Sequence, residues 1–141
     1  MRTVEDDEGQ RYLLVKRSTE SSLVRDPATG EERHLPNDSL EPVEDAGPLE
    51  TAASGISDPL RRVLTASHDE RALGLLLELD EHGPTDVRVL LDRYELCESD
   101  LHGLIAEFRA AGLVAEAEVP GGRGYETTAD ASDALATLRQ D

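Results

Sequence analysis

Residues 101–114 of this chain read LHGLIAEFRAAGLV, and this stretch decides the fold. Its apolar side chains recur at the spacing of an amphipathic helix: Leu101, Leu104, Ile105, Phe108 and Ala111. Ser99 lies just before this stripe as the expected N-cap, and Gly112 follows it as the glycine that ends a helix. The segment therefore predicts a helix with one side packed on the protein body and the other side facing outward.

Helices are also predicted on both sides of this stretch. Each begins with a capping signal: Asp58 with Pro59, Ser67 with Glu70 in capping-box spacing, Thr85 or Asp86, and Thr128. Leucines in residues 72–79 make a wide apolar stripe, so we expect that helix to be central and mostly buried. Gly83 and Pro84 end it.

A hairpin is predicted between the helix of residues 101–111 and the last helix. Residues 114–119 and 125–127 read as strands, and residues 120–124, PGGRG, read as the turn that joins them. Arg123 lies at the tip of this turn. Because the glycine-rich stretch does not open a helix, it indicates a hairpin rather than a phosphate-binding loop.

The N-terminal part of the chain has the pattern of strands. Short apolar runs flanked by charge and separated by turn residues predict a small antiparallel β-meander in residues 1–36. Residues 37–57 mix proline, glycine and acids without a sustained period, which predicts an acidic linker. We therefore expect an α+β protein, with the helices and the hairpin in residues 58–141.

The charge of the chain is its most unusual property. It has 31 acidic residues against 14 basic ones, a net charge of -17, and the basic residues are arginines apart from Lys16. This composition resembles that of proteins from salt-accumulating halophiles, where self-repulsion is screened because the Debye length is about 3 Å at 1 M salt. We therefore expect a protein adapted to high salt. Its net charge then reflects the salt concentration around it more than the charge of its binding partner.

The sequence favours no enzyme, metal site or cofactor. Cys97 is the one cysteine, which excludes an internal disulfide, and it is expected to be a small core residue. It forms no zinc-ligand pattern with the four histidines, and no catalytic or nucleotide-binding motif is present. No apolar run approaches the roughly 18 residues of a membrane span, and the acidic N-terminus argues against a signal peptide. We expect a soluble, cytoplasmic protein that does not interact with membranes.

The order of the C-terminal elements resembles a known family. It resembles the winged helix-turn-helix of MarR-like, ArsR-like and TrmB-like proteins, in which the order is helix, helix, turn, amphipathic helix ending in AGLV, hairpin and helix. The acidic composition makes the resemblance one to a haloarchaeal member of this type. Residues 58–138 carry the resemblance, which gives the N-terminal β-module no known role. The resemblance implies a transcriptional regulator that binds double-stranded DNA, with the amphipathic helix in the major groove and the hairpin, or wing, reaching phosphate.

By this resemblance, the outward side of the helix is the candidate DNA-binding surface: Ser99, Asp100, His102, Gly103, Ala106 and Glu107. Arg123 joins it from the tip of the wing. The face departs from the usual pattern because Asp100 and Glu107 repel phosphate and few of its side chains bond to base edges. Molar salt screens that repulsion, so DNA binding remains an expectation.

Two alternatives stay open. The small side chains Gly103, Ala106 and Ala110 offer a smooth surface that another helix can approach, which is typical of a winged-helix adaptor that binds protein and not DNA. A sensor whose ligand the sequence does not reveal is the third interpretation.

One stretch of the N-terminal module is basic. Residues 11–25 contain four basic side chains against the single acid Glu20: Arg11, Lys16, Arg17 and Arg25. They are candidates for secondary contacts with phosphate or with an acidic partner. The alternative is that these charges flank an edge strand and discourage pairing with another chain.

The resemblance also implies dimers, since such regulators bind paired half-sites. The apolar faces that include Leu60 with Leu64 and Ala131 with Leu138 are candidates for a homodimer contact. Packing within one chain explains them equally well.

Overall fold

Residues 1–140 are described by a computed structural model, which has an α+β fold and so confirms the predicted class. The chain forms two compact units, one of residues 1–57 and one that begins at Asp58. Among the described residues, no helix combines the length and apolar composition that crossing a bilayer requires.

The first unit contains a five-stranded antiparallel sheet and one short helix. Its elements are β1 (Arg2–Glu5), β2 (Arg11–Arg17), β3 (Ser21–Arg25), β4 (Glu32–Pro36), a 3₁₀ turn (Asn37–Ser39), β5 (Glu41–Pro42) and α1 (Pro48–Ala53). The strand order is β4-β3-β2-β1-β5. Val4 lies opposite Tyr12 and Leu14 opposite Val24, so these apolar side chains share one face and form the small core of this unit.

The predicted linker is part of this unit, and its prediction was wrong. Residues 37–57 hold the 3₁₀ turn, β5 and α1, and β5 pairs with β1 at the edge of the sheet. The Thr3 and Thr51 hydroxyls lie 2.6 Å apart in a buried hydrogen bond that ties α1 to β1. The Val43 amide also donates to the Thr3 carbonyl oxygen at 3.0 Å. A two-residue strand and a six-residue helix are too short to show the periodicity by which sequence patterns are recognised.

The second unit contains five helices and a three-stranded sheet. Its elements are α2 (Asp58–Ala66), α3 (Glu70–His82), β6 (Thr85–Asp86), α4 (Val87–Arg93), α5 (Glu98–Ala110), β7 (Val114–Val119), β8 (Gly122–Thr127) and α6 (Ala129–Leu138). The strand order is β6-β8-β7, antiparallel throughout. The sequence pattern did not predict the short strand β6. Gly124 permits this pairing, because a Cβ atom there would collide with the Thr85 carbonyl oxygen.

Helix α3 lies at the centre of the core, as its leucine stripe predicts. Leu76 and Leu79 are fully buried, and so are Leu101 and Phe108 from α5 and Leu135 from α6. Burial of such side chains is worth about 1.5–3 kcal/mol each. The core therefore fixes α5 on the rest of the unit through its predicted apolar stripe.

Several local expectations at the helix ends were wrong. Asp69, not Ser67, caps α3, its carboxylate accepting from the Ala72 amide at 2.8 Å, while the buried Ser67 hydroxyl has no partner among the described residues. Helix α5 begins two residues early, with Cys97 at its N-cap, so Ser99 lies inside the helix. Cys97 is exposed rather than a core residue, because the α4–α5 turn carries it to the surface.

Arg62 joins three elements of this unit. Its guanidinium donates to Asp58 at 2.9 Å, to the Ala111 carbonyl at the end of α5 at 2.9 Å, and to Asp130 in the first turn of α6 at 2.6 Å. The hydrogen bond to Asp130 raises the already high pKa of Arg62. The end of α5 is thereby held where the hairpin begins.

Candidate nucleic-acid interface

Helix α5 presents the predicted surface to solvent. Its stripe is buried at Leu101, Ile105 and Phe108. The candidate residues on its other side are all exposed: Ser99, Asp100, His102, Gly103, Ala106 and Glu107. We call these six residues the α5 face. Its side chains at Ser99, Gly103 and Ala106 are small, so a partner can approach the helix backbone closely at these positions.

Both acids of the α5 face have basic partners from the start of α3. The Arg71 guanidinium donates to Asp100 at 3.1 Å, and this hydrogen bond lowers the pKa of Asp100 below its ordinary value. The His68 imidazole, in the link before α3, lies 2.7 Å from the Glu107 carboxylate. The sequence did not reveal these pairs, because their members are far apart along the chain. The Arg71 guanidinium reduces the repulsion that the bare Asp100 carboxylate would exert on phosphate, and the His68 imidazole does the same for Glu107 when it is protonated.

The hairpin carries an exposed arginine beside its turn. The turn is formed by Pro120 and Gly121, and Arg123 lies in β8 opposite Glu118, so the prediction that Arg123 belongs to a turn of residues 120–124 was wrong. Gly121 and Gly122 have φ values of 97° and 139°, a left-handed conformation that favours glycine and makes the tight turn. The Arg123 side chain is 72% exposed, and its guanidinium lies 3.7 Å from the Glu116 carboxylate. Glu116 also accepts from Arg109 of α5 at 3.3 Å, so one carboxylate bridges α5 and the hairpin.

A second arginine lies at this turn, which the sequence pattern did not predict. Arg88, in the first turn of α4, donates to the Gly121 carbonyl oxygen at 2.9 Å, and its side chain is 76% exposed. Asp86 caps α4 by accepting from the Arg88 amide at 2.7 Å, as predicted for this helix start. The sequence held one indication of this position, since Arg88 follows Asp86, an expected N-cap, by two residues. Arg88 and Arg123 together place two exposed cations at one turn, which we call the hairpin tip.

The rest of the hairpin is acidic. Glu116 and Glu118 on β7 are exposed, and Glu126 on β8 is half-buried. These three carboxylates outnumber the two arginines of the hairpin tip. A nucleic acid would therefore contact the tip rather than the flanks of the strands.

The strand register places Arg11, Lys16 and Arg25 on one face of the N-terminal sheet and Arg17 on the other, so three of the four basic residues share a face. Lys16 lies opposite Leu23 and Arg17 opposite Ser22, so the two neighbours point to different faces of the sheet. Arg11 is 3.4 Å from Glu5, and Arg25 is half-buried. The edge-strand explanation for these charges was wrong, because β2 lies between β1 and β3 inside the sheet.

Within residues 1–140, no group of three or more His, Cys, Asp or Glu side chains is arranged to hold a metal ion. The α5 face and the hairpin tip are therefore described by hydrogen-bonding and charge alone.

Comparison with known proteins identifies one family. A family model described as a family of unknown function, DUF7346, matches residues 1–139. No curated protein and no solved structure matches the chain. The match extends over both compact units, so they occur together as one family architecture. The chain belongs to the DUF7346 family of unknown function.

Proposed function

We propose that this protein is a winged helix-turn-helix regulator that binds double-stranded DNA in a cytoplasm of high salt. Helix α5 is its recognition helix in this proposal, and the β7–β8 hairpin is its wing. The order α3, α4, α5, hairpin, α6 supports the assignment, because a recognition helix followed by a hairpin presents two neighbouring contacts to a duplex. We expect no catalytic activity.

The observation that carries the proposal is the charge arrangement around α5. Asp100 and Glu107 are engaged by Arg71 and His68, which leaves small or neutral groups to meet the groove. At the hairpin tip, the side chains of Arg88 and Arg123 are 76% and 72% exposed, and their carboxylate neighbours Asp86 and Glu116 lie 3.7 Å away, so each guanidinium keeps N–H groups that can reach phosphate. Phosphate contacts fix the register of a protein on DNA, and groove contacts follow from it.

High salt is part of this proposal. A chain of net charge -17 repels a duplex in dilute buffer. At about 1 M salt the Debye length is about 3 Å, so repulsion between exposed charges is confined to direct contacts. Binding then depends on shape and on hydrogen bonds from the α5 face, since release of counterions contributes little.

We also propose that the protein pairs through the faces of α2 and α6. Leu64 and Leu138 are 52% and 46% exposed, and they line an apolar groove of ≈ 520 Å³ with Leu73 and Leu77. Exposed leucines that line a groove can pack against the same leucines of a second copy, as a twofold interface requires. The groove also carries opposite charges that a second copy can pair with, since Arg139 and the acids Asp69 and Glu70 are among its lining residues.

A protein-binding adaptor is the second candidate function. The carboxylates Glu116, Glu118 and Glu126 favour it, because they make the hairpin acidic where DNA-binding wings are basic. In that case Gly103 and Ala106 would receive a helix of the partner.

A selection from a random duplex library in about 2 M KCl separates these two functions. The regulator enriches a defined sequence, and exchange of both Arg88 and Arg123 for alanine weakens binding to it about tenfold, as loss of charged hydrogen bonds does. Arg2→Ala is the control, since Arg2 is an exposed arginine on β1 of the first unit and has no part in the α5 face, the hairpin tip or the α2–α6 groove. Failure to enrich any duplex would favour the adaptor.

A further inference from the structure

A pocket of ≈ 300 Å³ lies between α3 and the turn that joins α4 to α5. Arg71, Gly74 and Glu78 line it from one face of α3, since their spacing is that of successive helical turns. Leu96 and Leu104 form apolar walls. We call this cavity the turn pocket, and its volume lies at the lower end of the range for small-molecule sites.

Gly74 leaves this pocket open. It lies in the interior of α3, where glycine is less stable than alanine. A Cβ atom at this position would meet nothing within 4 Å, so no neighbouring atom requires a glycine here. The missing side chain instead provides space in the wall of the turn pocket.

The turn pocket is lined by one residue of each charge, Arg71 and Glu78, and the two differ in their partners. Arg71 is paired with Asp100 at 3.1 Å. Glu78 accepts from the Tyr94 hydroxyl at 2.9 Å, which carries no charge, and its nearest cationic group is the His82 imidazole at 3.8 Å, which is charged only when protonated. Within the described part of the chain, no lysine or arginine forms an ion pair with Glu78. One negative charge therefore borders an apolar cavity beside an aromatic ring.

We propose that the turn pocket binds a small organic cation with an apolar body. Its ammonium group pairs with Glu78 and lies near the Tyr94 ring, and its body fills the space beside Gly74 against Leu96 and Leu104. The protein's net charge of -17 favours a cationic ligand over an anionic one.

The position of the pocket gives such a ligand an effect on α5. Tyr94 and Leu96 flank Glu95, whose φ of 53° is an unusual left-handed conformation for a residue other than glycine. This turn sets where α5 begins. A ligand that contacts both flanking side chains biases the turn and, through it, the α5 face; this consequence, unlike the binding itself, rests on the proposed function.

Binding is tested by NMR titration of the full chain in about 1 M KCl with phenethylammonium and with hydrocinnamate, its carboxylate counterpart. Phenethylammonium should shift the signals of Tyr94 and Leu96 in a saturable way, and hydrocinnamate should not. Glu78→Gln keeps the shape of the side chain without its charge and should weaken binding about fivefold, the upper range for an exposed charge pair.

Gly74→Leu should fill the cavity and abolish saturable binding. Ala136→Leu is its control, because Ala136 is a small, exposed helical residue on α6 that does not line the turn pocket. It should bind phenethylammonium as the unaltered protein does. Absence of phenethylammonium binding, equal binding of hydrocinnamate, or unchanged binding by Gly74→Leu would each overturn the proposal. None of these outcomes involves DNA, so they leave the proposed function to its own test.

Discussion

The Nε2 atom of His68 lies 2.7 Å from the Oε2 atom of Glu107, across the space between the start of α3 and the exposed side of α5. Two turns earlier on α5, Asp100 accepts from Arg71 of the same region. The start of α3 therefore supplies a basic partner for each acid on the α5 face. This arrangement reconciles an outward helix that carries carboxylates with the proposal that it meets DNA.

Removing the histidine should expose the charge of Glu107 to the duplex. With the His68 imidazole protonated, we expect His68→Ala to weaken binding to a library-selected duplex about threefold in about 1 M KCl, the scale of an exposed ionic contact. Fluorescence anisotropy of the labelled duplex measures the change. His82→Ala is the control, since His82 neighbours Glu78 on α3 rather than an acid of the α5 face. Equal binding by the two variants would contradict this role of His68.

The ion pair with Arg71 should be visible in the titration of Asp100. The hydrogen bond from Arg71 holds the pKa of Asp100 below the ordinary 3.8, so Arg71→Ala should return it toward that value. Because the folded pKa is the lower one, the pair stabilises the fold fully above about pH 4–5, and this stabilisation is lost as pH falls through the folded pKa. Carboxyl-carbon NMR measures the pKa, and an unchanged value in Arg71→Ala would show that the pair does not form.

The acidic surface should make stability depend on salt. We expect the melting temperature to rise by at least about 5 °C between about 0.1 M and about 2 M KCl, which corresponds to about 1 kcal/mol or more in a domain of this size. The cause is screening of repulsion among 31 carboxylates. Differential scanning calorimetry gives the two temperatures, and identical values would remove the premise that the protein is adapted to high salt.

The groove between α2 and α6 should hold a second copy. Leu64→Glu places a charge in this apolar contact and should convert a dimer into a monomer. Light scattering coupled to size-exclusion chromatography in about 2 M KCl measures the mass. Leu49→Glu is the matched control, since Leu49 is 81% exposed on α1 and does not line the groove. A monomeric unaltered protein, or a dimeric Leu64→Glu, would contradict the interface.

Strong periodicity made the main elements of the fold predictable. The stripe from Leu101 to Phe108 predicted both the buried side of α5 and its exposed side, because a helix keeps one period over many residues. Gly112, with φ 73°, ends this helix region as its sequence position indicated. Short elements carry too few residues for such a signal, which is why β5, β6 and α1 were not predicted.

Choices between neighbouring residues were not predictable. Ser67 and Asp69 can both cap a helix, and the packing of α3 decides for Asp69. The partners of Asp100 and Glu107 depend on how α3 and α5 pack, which no local pattern contains. Arg88 reaches the hairpin tip only because β6 pairs with β8 and brings the start of α4 beside the Gly121 turn.

The most direct test of the central claim places a charge in the middle of the α5 face. Ala106→Glu alters an exposed position without touching the core, and Ala136→Glu makes the same exchange at an exposed position of α6. We predict that Ala106→Glu binds the library-selected duplex at least about tenfold more weakly in about 2 M KCl, a loss of about 1.4 kcal/mol, while Ala136→Glu binds it like the unaltered protein. Equal affinities of the two variants would contradict the claim that α5 is the surface that meets DNA.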